Sequence, residues 1–211
     1  MKTKNELIND VEVLLTPFFN ETLVEEVMVE LNKMGFFDQS CSTKYHDNYR
    51  GGLLKHSVEV AKNLLTLTYM NGLKWKREAS PVVIGLFHDL CKFDAYIWDG
   101  EKYIYNSHQT GKGKHGLKSL ALISGNEVFK KLNFTEEEQV AILWHMGGWS
   151  VELKDKTLDM NADLKEYPLG LWAQQADLIS TYQGTVPVDK NLLTERLEYY
   201  CRPFTTDFLL S

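Results

Sequence analysis

Residues 80–92 read SPVVIGLFHDLCK, and this stretch decides the fold class. The run VVIGLF is apolar on every side of a helix, so we expect a helix buried near the centre of the domain. Ser80 and Pro81 mark its start, because serine caps helices and proline suits the first helical position. His88 and Asp89 come where the apolar run stops, and burying a carboxylate there is costly unless a cation or hydrogen-bond donors compensate it.

Helical periodicity also dominates the sequence on both sides of this stretch. It predicts helices over residues 5–16, 21–33, 52–70, 115–122, 168–182 and 190–200, and another helix after a capping box of Thr135 and Glu138. The segments 36–50 and 106–114 are polar and are predicted to be loops.

Residues 95–105, AYIWDGEKYIY, have a different pattern. Aromatic and β-branched residues flank Asp99-Gly100, which predicts a β-hairpin with a two-residue turn. We therefore expect a single all-α domain over residues 1–211, with one small surface hairpin.

Composition limits the class of protein. The chain has 211 residues, of which 44% are hydrophobic and 25% are charged, as in ordinary globular domains. Its net charge of -6 gives no general indication of a nucleic-acid partner. Without an N-terminal apolar segment or a run of 18 apolar residues, we expect a cytoplasmic protein with no membrane partner. Its three cysteines, Cys41, Cys91 and Cys201, form no C-x-x-C pair, which argues against a disulfide framework or a thiolate zinc knuckle.

Six residues of metal-ligand type lie at apolar helix positions or at helix ends. They are His56, His88, Asp89, His115, His145 and Asp177. Imidazole and carboxylate together suit zinc, manganese, iron or nickel, and a helical bundle can bring such side chains together in its interior. Taken singly, each residue could also be a hydrogen-bonded core histidine or a solvated acid.

The order and context of these residues resemble the H…HD…D signature of the HD-domain superfamily of metal-dependent phosphohydrolases. The matching words are GGLLKHSVEVA (51–61), VVIGLFHDLCK (82–92), KHGLKS (114–119), AILWHMGG (141–148) and QADLIST (175–181). They span about residues 45–181, and the resemblance implies an HD-domain-like helical bundle. Relatives often have glycine before the third histidine and glutamate two residues after it, whereas this chain has Lys114 and Leu117.

The resemblance implies two groups of ligands. One divalent cation would be held by His56, His88, Asp89 and Asp177, and a second by His115 and His145 with Asp89 bridging. One or two ions of Mn, Fe, Zn, Ni, Co or Mg are therefore expected. If the second ion binds, the stem of Lys114 must keep its ammonium in water.

Two sets of residues are candidates for contact with substrate. Lys92, four residues past His88 on the predicted helix face, could contact a phosphate, although a surface lysine is the other interpretation. Asp89 and Lys92 are the candidate catalytic residues. His46 and Arg50 lie in the polar loop before the first histidine's helix and could contact substrate, or have only a loop role.

The expected function is a metal-dependent phosphohydrolase that cleaves a phosphoester with a metal-activated hydroxide. The substrate would be a small phosphorylated molecule such as a nucleotide or cyclic nucleotide, or a nucleic-acid end. Two alternatives stay open: a di-iron oxygenase of the same superfamily, of the myo-inositol oxygenase type, and a non-catalytic metal- or nucleotide-binding module. The HD-x-x-K motif favours hydrolysis.

Overall fold

Helices form almost all of the regular structure in a computed structural model, which describes residues 2–108, 114–200 and 202–211. The helices are α1 (Lys4–Leu15), α2 (Glu21–Lys33), α3 (Gly52–Asn71), α4 (Ser80–Phe87), α5 (His115–Gly125), α6 (Glu127–Lys130), α7 (Glu136–Leu143), α8 (Met160–Glu166), α9 (Gly170–Gln183), α10 (Lys190–Tyr199) and α11 (Thr206–Leu209). The predicted all-α fold with one small hairpin is confirmed. Most of the predicted 106–114 loop, like Cys201, lies outside the described residues.

Helix α3 lies at the centre and packs against α4 and α9. The crossing with α4 is close because Gly85 has no side chain: a Cβ there would lie 2.3 Å from the Cα of Ala61. This close approach brings the C-terminal end of α4 next to the first turns of α3. The apolar run of α4 is buried on every side, as the sequence predicted.

Of the two helix starts predicted from capping residues, one is confirmed and the other is not. Thr135 Oγ1 accepts from the N–H of Glu138, and the Glu138 carboxylate accepts from the N–H of Thr135, so the predicted capping box is confirmed. Ser80 is not a cap, because α4 begins at Ser80 itself and its hydroxyl donates to Glu138 at 2.7 Å. The buried carboxylate of Glu138, which also pairs with Arg77 at 2.6 Å, accepts from the serine hydroxyl, so this hydroxyl does not cap the helix.

The hairpin has a longer turn than predicted. Strand β1 (Tyr96–Trp98) pairs antiparallel with β2 (Tyr103–Tyr105), and Trp98 lies opposite Tyr103. The connection therefore has four residues, 99–102. The carboxylate of Asp99 accepts from the N–H groups of Glu101 and Lys102 at 2.9 Å each, which stabilises the longer loop.

Other differences concern short or terminal segments. The helix predicted from Pro168 begins at Gly170. Helices α6, α8 and α11 have four to seven residues, too few to give a clear period. In the described parts of the chain, none of the helices combines the length and apolarity needed to cross a bilayer.

Candidate metal centre

Asp89 marks a sharp change of chain direction at the end of α4. The N–H of His88 still donates to the carbonyl of Ile84 at 2.9 Å, as in the helix. Asp89 then leaves the helix with φ −105° and ψ 21°, and a 3-10 turn, Leu90–Asp94, follows. Because His88 and Asp89 are each only 1% exposed, the turn places an imidazole and a carboxylate in the interior.

His56 of α3 and Asp177 of α9 meet this pair. His56 Nε2 lies 3.3 Å from His88 Nε2 and 3.1 Å from Asp177 Oδ1. Asp89 Oδ2 lies 3.4 Å from His88 Nε2 and 3.7 Å from His56 Nε2. Ligand atoms that bind a metal tetrahedrally at about 2.0–2.2 Å lie about 3.3–3.6 Å apart. We call these four residues the first site, since their spacing is that of a ligand set.

Hydrogen bonds to the outer ring nitrogens determine which nitrogen faces the first site. His88 Nδ1 donates to the carbonyl of Gly85 at 2.8 Å. His56 Nδ1 lies 3.2 Å from Ser180 Oγ, and it donates there because the serine hydrogen goes to Glu59 at 3.0 Å. In the neutral rings both Nε2 atoms therefore present lone pairs to each other across 3.3 Å. A cation beside both atoms would replace this repulsion with coordination.

His115 and His145 approach the other oxygen of Asp89. His115 Nδ1 lies 3.8 Å and His145 Nε2 lies 3.6 Å from Asp89 Oδ1. The outer nitrogen of His145 donates to the carbonyl of Ile142 at 2.7 Å, so in the neutral ring the lone pair is on Nε2. We call Asp89, His115 and His145 the second site.

A close helix crossing holds the two histidines of the second site together. Helix α5 begins at His115, and His145 follows the end of α7. A Cβ on Gly116 would lie 2.2 Å from the carbonyl oxygen of Leu143. Only glycine therefore permits this approach of α5 to α7.

Two buried atoms of the second site have no hydrogen-bond partner: Asp89 Oδ1 and His145 Nε2. An unsatisfied buried polar atom costs about 1–3 kcal/mol, and more when it is charged. The two atoms lie 3.6 Å apart and both are electron-pair donors. This arrangement fits a bound divalent cation, which would satisfy both.

Lys92 is a buried member of the centre. Its Nζ lies 2.6 Å from Asp89 Oδ2 and 3.5 Å from Cys41 Sγ, and the residue is 8% exposed. Because the α-helix ends before it, the 3-10 turn carries Lys92 back onto Asp89. The expectation that it shares an α-helical face with His88 is therefore wrong, as is the interpretation of it as a surface lysine.

The charges around the centre favour ionised carboxylates. Burial acts to raise the pKa of Asp89, but Lys92 and the neighbouring imidazoles outweigh burial and hold this pKa well below its ordinary value. Burial acts to raise the pKa of Asp177 too, but the hydrogen bond with His56 outweighs burial and holds this pKa below its ordinary value. Ionised carboxylates are the form that binds a divalent cation.

His115 has the opposite shift. Burial disfavours its imidazolium, but contacts with Asp89 and Cys91 outweigh burial and raise the pKa of His115 to about 9. Lys92 and His115 thus both supply positive charge beside Asp89.

The remaining predicted residues are divided between the centre and the surface. The His46 ring packs 4.9 Å from that of His56, and burial lowers the pKa of His46 to about 4, so it is neutral at pH 7. Arg50 does not join the centre: it is exposed, and its guanidinium pairs with Asp38 at 2.8 Å. Lys114 is also exposed, in agreement with the requirement on its ammonium.

Sequence reasoning missed three residues around the centre. Cys91 Sγ lies 3.6 Å from His115 Nδ1. Ser180 orients His56. Glu152, from a 3-10 turn distant in sequence, accepts from the N–H of Leu117 at 3.1 Å and so supports the start of α5. QADLIST contains Ser180, but no local pattern relates Cys91 or Glu152 to His115.

Four overlapping groups of His, Cys and Asp in the described ranges could hold a metal ion. They are Cys41–His46–His56, His56–His88–Asp177, His88–Asp89–His145 and Asp89–Cys91–His115, each with its ligand atoms within 4.8 Å of one another. Neighbouring groups share a residue, so they form one continuous candidate centre, in which Asp89 belongs to both the first and the second site.

Comparisons of the chain with protein-family models, with curated proteins and with solved structures found no match.

Proposed function

We propose that this protein is a metal-dependent phosphohydrolase, of the kind that its resemblance to the HD-domain superfamily implies. The substrate is a phosphoester of a nucleotide or of a nucleic-acid end. The reaction is attack of water on phosphorus at the centre around Asp89.

One observation carries the proposal: Asp89 Oδ1 and His145 Nε2 are buried electron-pair donors with no hydrogen-bond partner. They lie beside a second set of facing donors, the Nε2 atoms of His56 and His88. A purely structural core would place hydrogen-bond donors opposite such atoms. Buried electron-pair donors with no hydrogen-bond donor opposite them suit a bound cation.

The divalent ions, when bound, supply a Lewis acid for a phosphoryl oxygen and an activated water. The chain itself contributes position and charge. Backbone carbonyls hold His88 and His145 in fixed orientations, and Asp89 faces both sites. Lys92 is a fixed cation beside Asp89, placed to donate to an anionic oxygen that enters the centre.

Substrate approaches from the side of His115 and Asp177. Their side chains are 31% and 15% exposed, whereas those of His56, Asp89 and His145 are at most 2% exposed. Solvent therefore reaches the ligand set mainly at these two side chains. This arrangement suits a phosphate group presented from outside.

An exposed groove between the 43–50 loop and the hairpin is a candidate place for the base of a nucleotide, although none of its lining residues belongs to the metal centre. It has a volume of about 710 Å³, and its walls include Tyr49, Trp98 and Tyr103 together with the charged residues Arg50, Lys102 and Glu101. Trp98 is 58% exposed and packs edge-on to Tyr103 at 5.3 Å. Exposed rings beside cations favour stacking of a base, worth about 1–3 kcal/mol per base.

The test measures phosphate release by the full chain. Protein stripped with a chelator is reloaded separately with Mn²⁺, Fe²⁺, Co²⁺, Ni²⁺, Zn²⁺ and Mg²⁺ and assayed on mononucleotides, cyclic nucleotides, short oligonucleotides and a small aryl phosphate. We expect metal-dependent hydrolysis that Asp177→Asn abolishes. Trp98→Ala should raise KM for nucleotides but not for the aryl phosphate.

Two outcomes would overturn the proposal. Consumption of oxygen in place of phosphate release, with iron bound, would assign the oxygenase chemistry. Tight metal binding with no turnover on any phosphoester would assign a binding module. His108→Ala is the control variant, because His108 is exposed and lies outside the metal centre.

A further inference from the structure

Cys91 occupies a position at the second site that the six expected ligands do not cover. It lies in the 3-10 turn two residues after Asp89 and is 4% exposed. Its Sγ is 3.6 Å from His115 Nδ1, and the ligand atoms of Asp89, Cys91 and His115 all lie within 4.8 Å of one another.

The distance from sulfur to nitrogen is that of two ligands of one metal ion. Zinc binds sulfur at about 2.3 Å and imidazole nitrogen at about 2.0–2.1 Å, so at the tetrahedral angle the two atoms lie about 3.6 Å apart. The separation from Cys91 Sγ to His115 Nδ1 is 3.6 Å.

A hydrogen-bonded bridge from α5 fixes the position of Cys91. Its backbone N–H donates to Ser119 Oγ at 3.1 Å, and the Ser119 hydroxyl donates to the carbonyl of His88 at 2.7 Å. Ser119 lies one turn after His115 on α5. The thiol and the imidazole are therefore held together by the two elements that carry them.

The second site also contains two buried electron-pair donor atoms without a hydrogen-bond partner. Asp89 Oδ1 and His145 Nε2 are buried without one, and Asp89 Oδ1 lies 3.8 Å from His115 Nδ1. Cys91 lies in one group of close ligand atoms with Asp89 and His115, and His145 lies in the neighbouring group with His88 and Asp89.

We propose that Cys91 is a thiolate ligand of the second site, together with Asp89 and His115. This inference rests on the metal centre of the proposed function but not on hydrolysis. A thiolate shifts preference towards Zn²⁺, Co²⁺ or Fe²⁺ and away from Mg²⁺ and Mn²⁺. The second site therefore takes a softer ion than the first, whose ligands are imidazole and carboxylate only.

The experiment uses the full chain stripped of metal and titrated with Co²⁺. Coordination of a thiolate to cobalt gives an intense sulfur-to-metal charge-transfer band in the near ultraviolet. We expect this band in the wild type and its loss in Cys91→Ser, with at least tenfold weaker binding of one of the two ions. Cys201→Ser is the control and should keep the band.

X-ray absorption of the zinc-loaded wild type provides a test that needs no variant. We expect a sulfur scatterer at about 2.3 Å. Cobalt binding without the band, or a band that survives Cys91→Ser, would overturn the proposal and leave Cys91 a weak hydrogen-bond partner of His115. If no cobalt binds at all, the metal centre fails with it. If the band is present but no phosphoester is cleaved, only the hydrolase function fails.

Discussion

Ser180 is the residue whose role is most local and most easily isolated. Its hydroxyl connects His56 Nδ1 at 3.2 Å with Glu59 at 3.0 Å and so orients the imidazole. Loss of such a partner of a ligand histidine weakens metal affinity about 10–100-fold. We expect Ser180→Ala to show this loss in a metal-binding titration. The exposed Ser124→Ala, whose hydroxyl bonds only within its own helix, is the control and should bind normally; equal affinity in both variants would remove Ser180 from the centre.

Lys92 can be tested through stability. Its ammonium lies 2.6 Å from Asp89 Oδ2, and both groups are buried. Removing one partner of a buried pair costs about 3–5 kcal/mol, because the other charge stays buried without compensation. We expect metal-free Lys92→Met to lose about this much in the free energy of unfolding, measured with urea.

Divalent metal should restore much of the stability that Lys92→Met loses, since a cation bound only by the folded state compensates Asp89 and stabilises that state. Lys114→Met, at an exposed position, should change neither the free energy of unfolding of the metal-free protein nor the stabilisation by metal. If metal destabilises Lys92→Met, or if the metal-free variant is as stable as the wild type, the charge balance around Asp89 is not as described.

At the scale of elements, the crossing of α5 and α7 determines whether the second site exists. A Cβ on Gly116 would lie 2.2 Å from the carbonyl oxygen of Leu143, and rigid backbone cannot yield to it. We expect Gly116→Ala to cost about 1–3 kcal/mol through overpacking. It should also remove the second metal equivalent while the first remains, as measured by elemental analysis after dialysis.

Gly125 gives the matched control for that crossing. It ends the same helix, and a Cβ on it would meet no atom within 4 Å. Gly125→Ala should keep both metals and leave stability within about 1 kcal/mol of the wild type. Retention of two metals by Gly116→Ala would show that the close crossing is not needed for the site.

The elements also show what local sequence can and cannot predict. The box of Thr135 and Glu138 was predictable because both partners lie within one helical turn. The hydroxyl of Ser80 was not, because the carboxylate that takes it comes from 58 residues away. Lys92 and Cys91 depend on Asp89 leaving the α-helix for a 3-10 turn, and the apolar run before it gives no sign of that change.

At the scale of the whole molecule, a buried charge cluster attaches the C-terminal segment to the central helix. Lys62 of α3 is 2% exposed, donates to Asp10 of α1 at 2.8 Å and lies 4.2 Å from the Phe208 ring of α11. Burial lowers the pKa of Lys62 to about 8, with Lys2 acting in the same direction and Asp10 opposing it. The unfolded chain therefore binds more protons than the folded one between about pH 8 and 10.4.

The lowered pKa of Lys62 determines the direction in which stability changes with pH. Because the unfolded state holds the extra proton in that window, stability attributable to Lys62 rises as pH rises through it and is lowest below about pH 8. We expect the free energy of unfolding of the wild type, relative to Lys62→Met, to increase by about 1–3 kcal/mol from pH 7.5 to pH 10. Urea denaturation at four pH values measures this difference, and a flat difference would contradict the assignment.

The meeting of the four first-site side chains in one place also depends on the whole molecule. The sequence placed His56, His88, Asp89 and Asp177 on helices and, through the family resemblance, in one site. The distances that bring them together depend on how α3, α4 and α9 pack, including the close approach of Gly85 to Ala61. Arg50 shows that position in the sequence does not suffice to predict the site: it is close to His56 in the sequence but pairs with Asp38 outside the centre.

The most direct test of the central claim is calorimetric titration of the metal-free chain with Zn²⁺ and with Co²⁺. Asp89 faces both sites, so the account predicts two equivalents bound by the wild type, none by Asp89→Asn, one by Asp177→Asn and two by His108→Ala. A wild type that binds no divalent ion, or an Asp89→Asn variant that folds and still binds two, would contradict the existence of this metal centre.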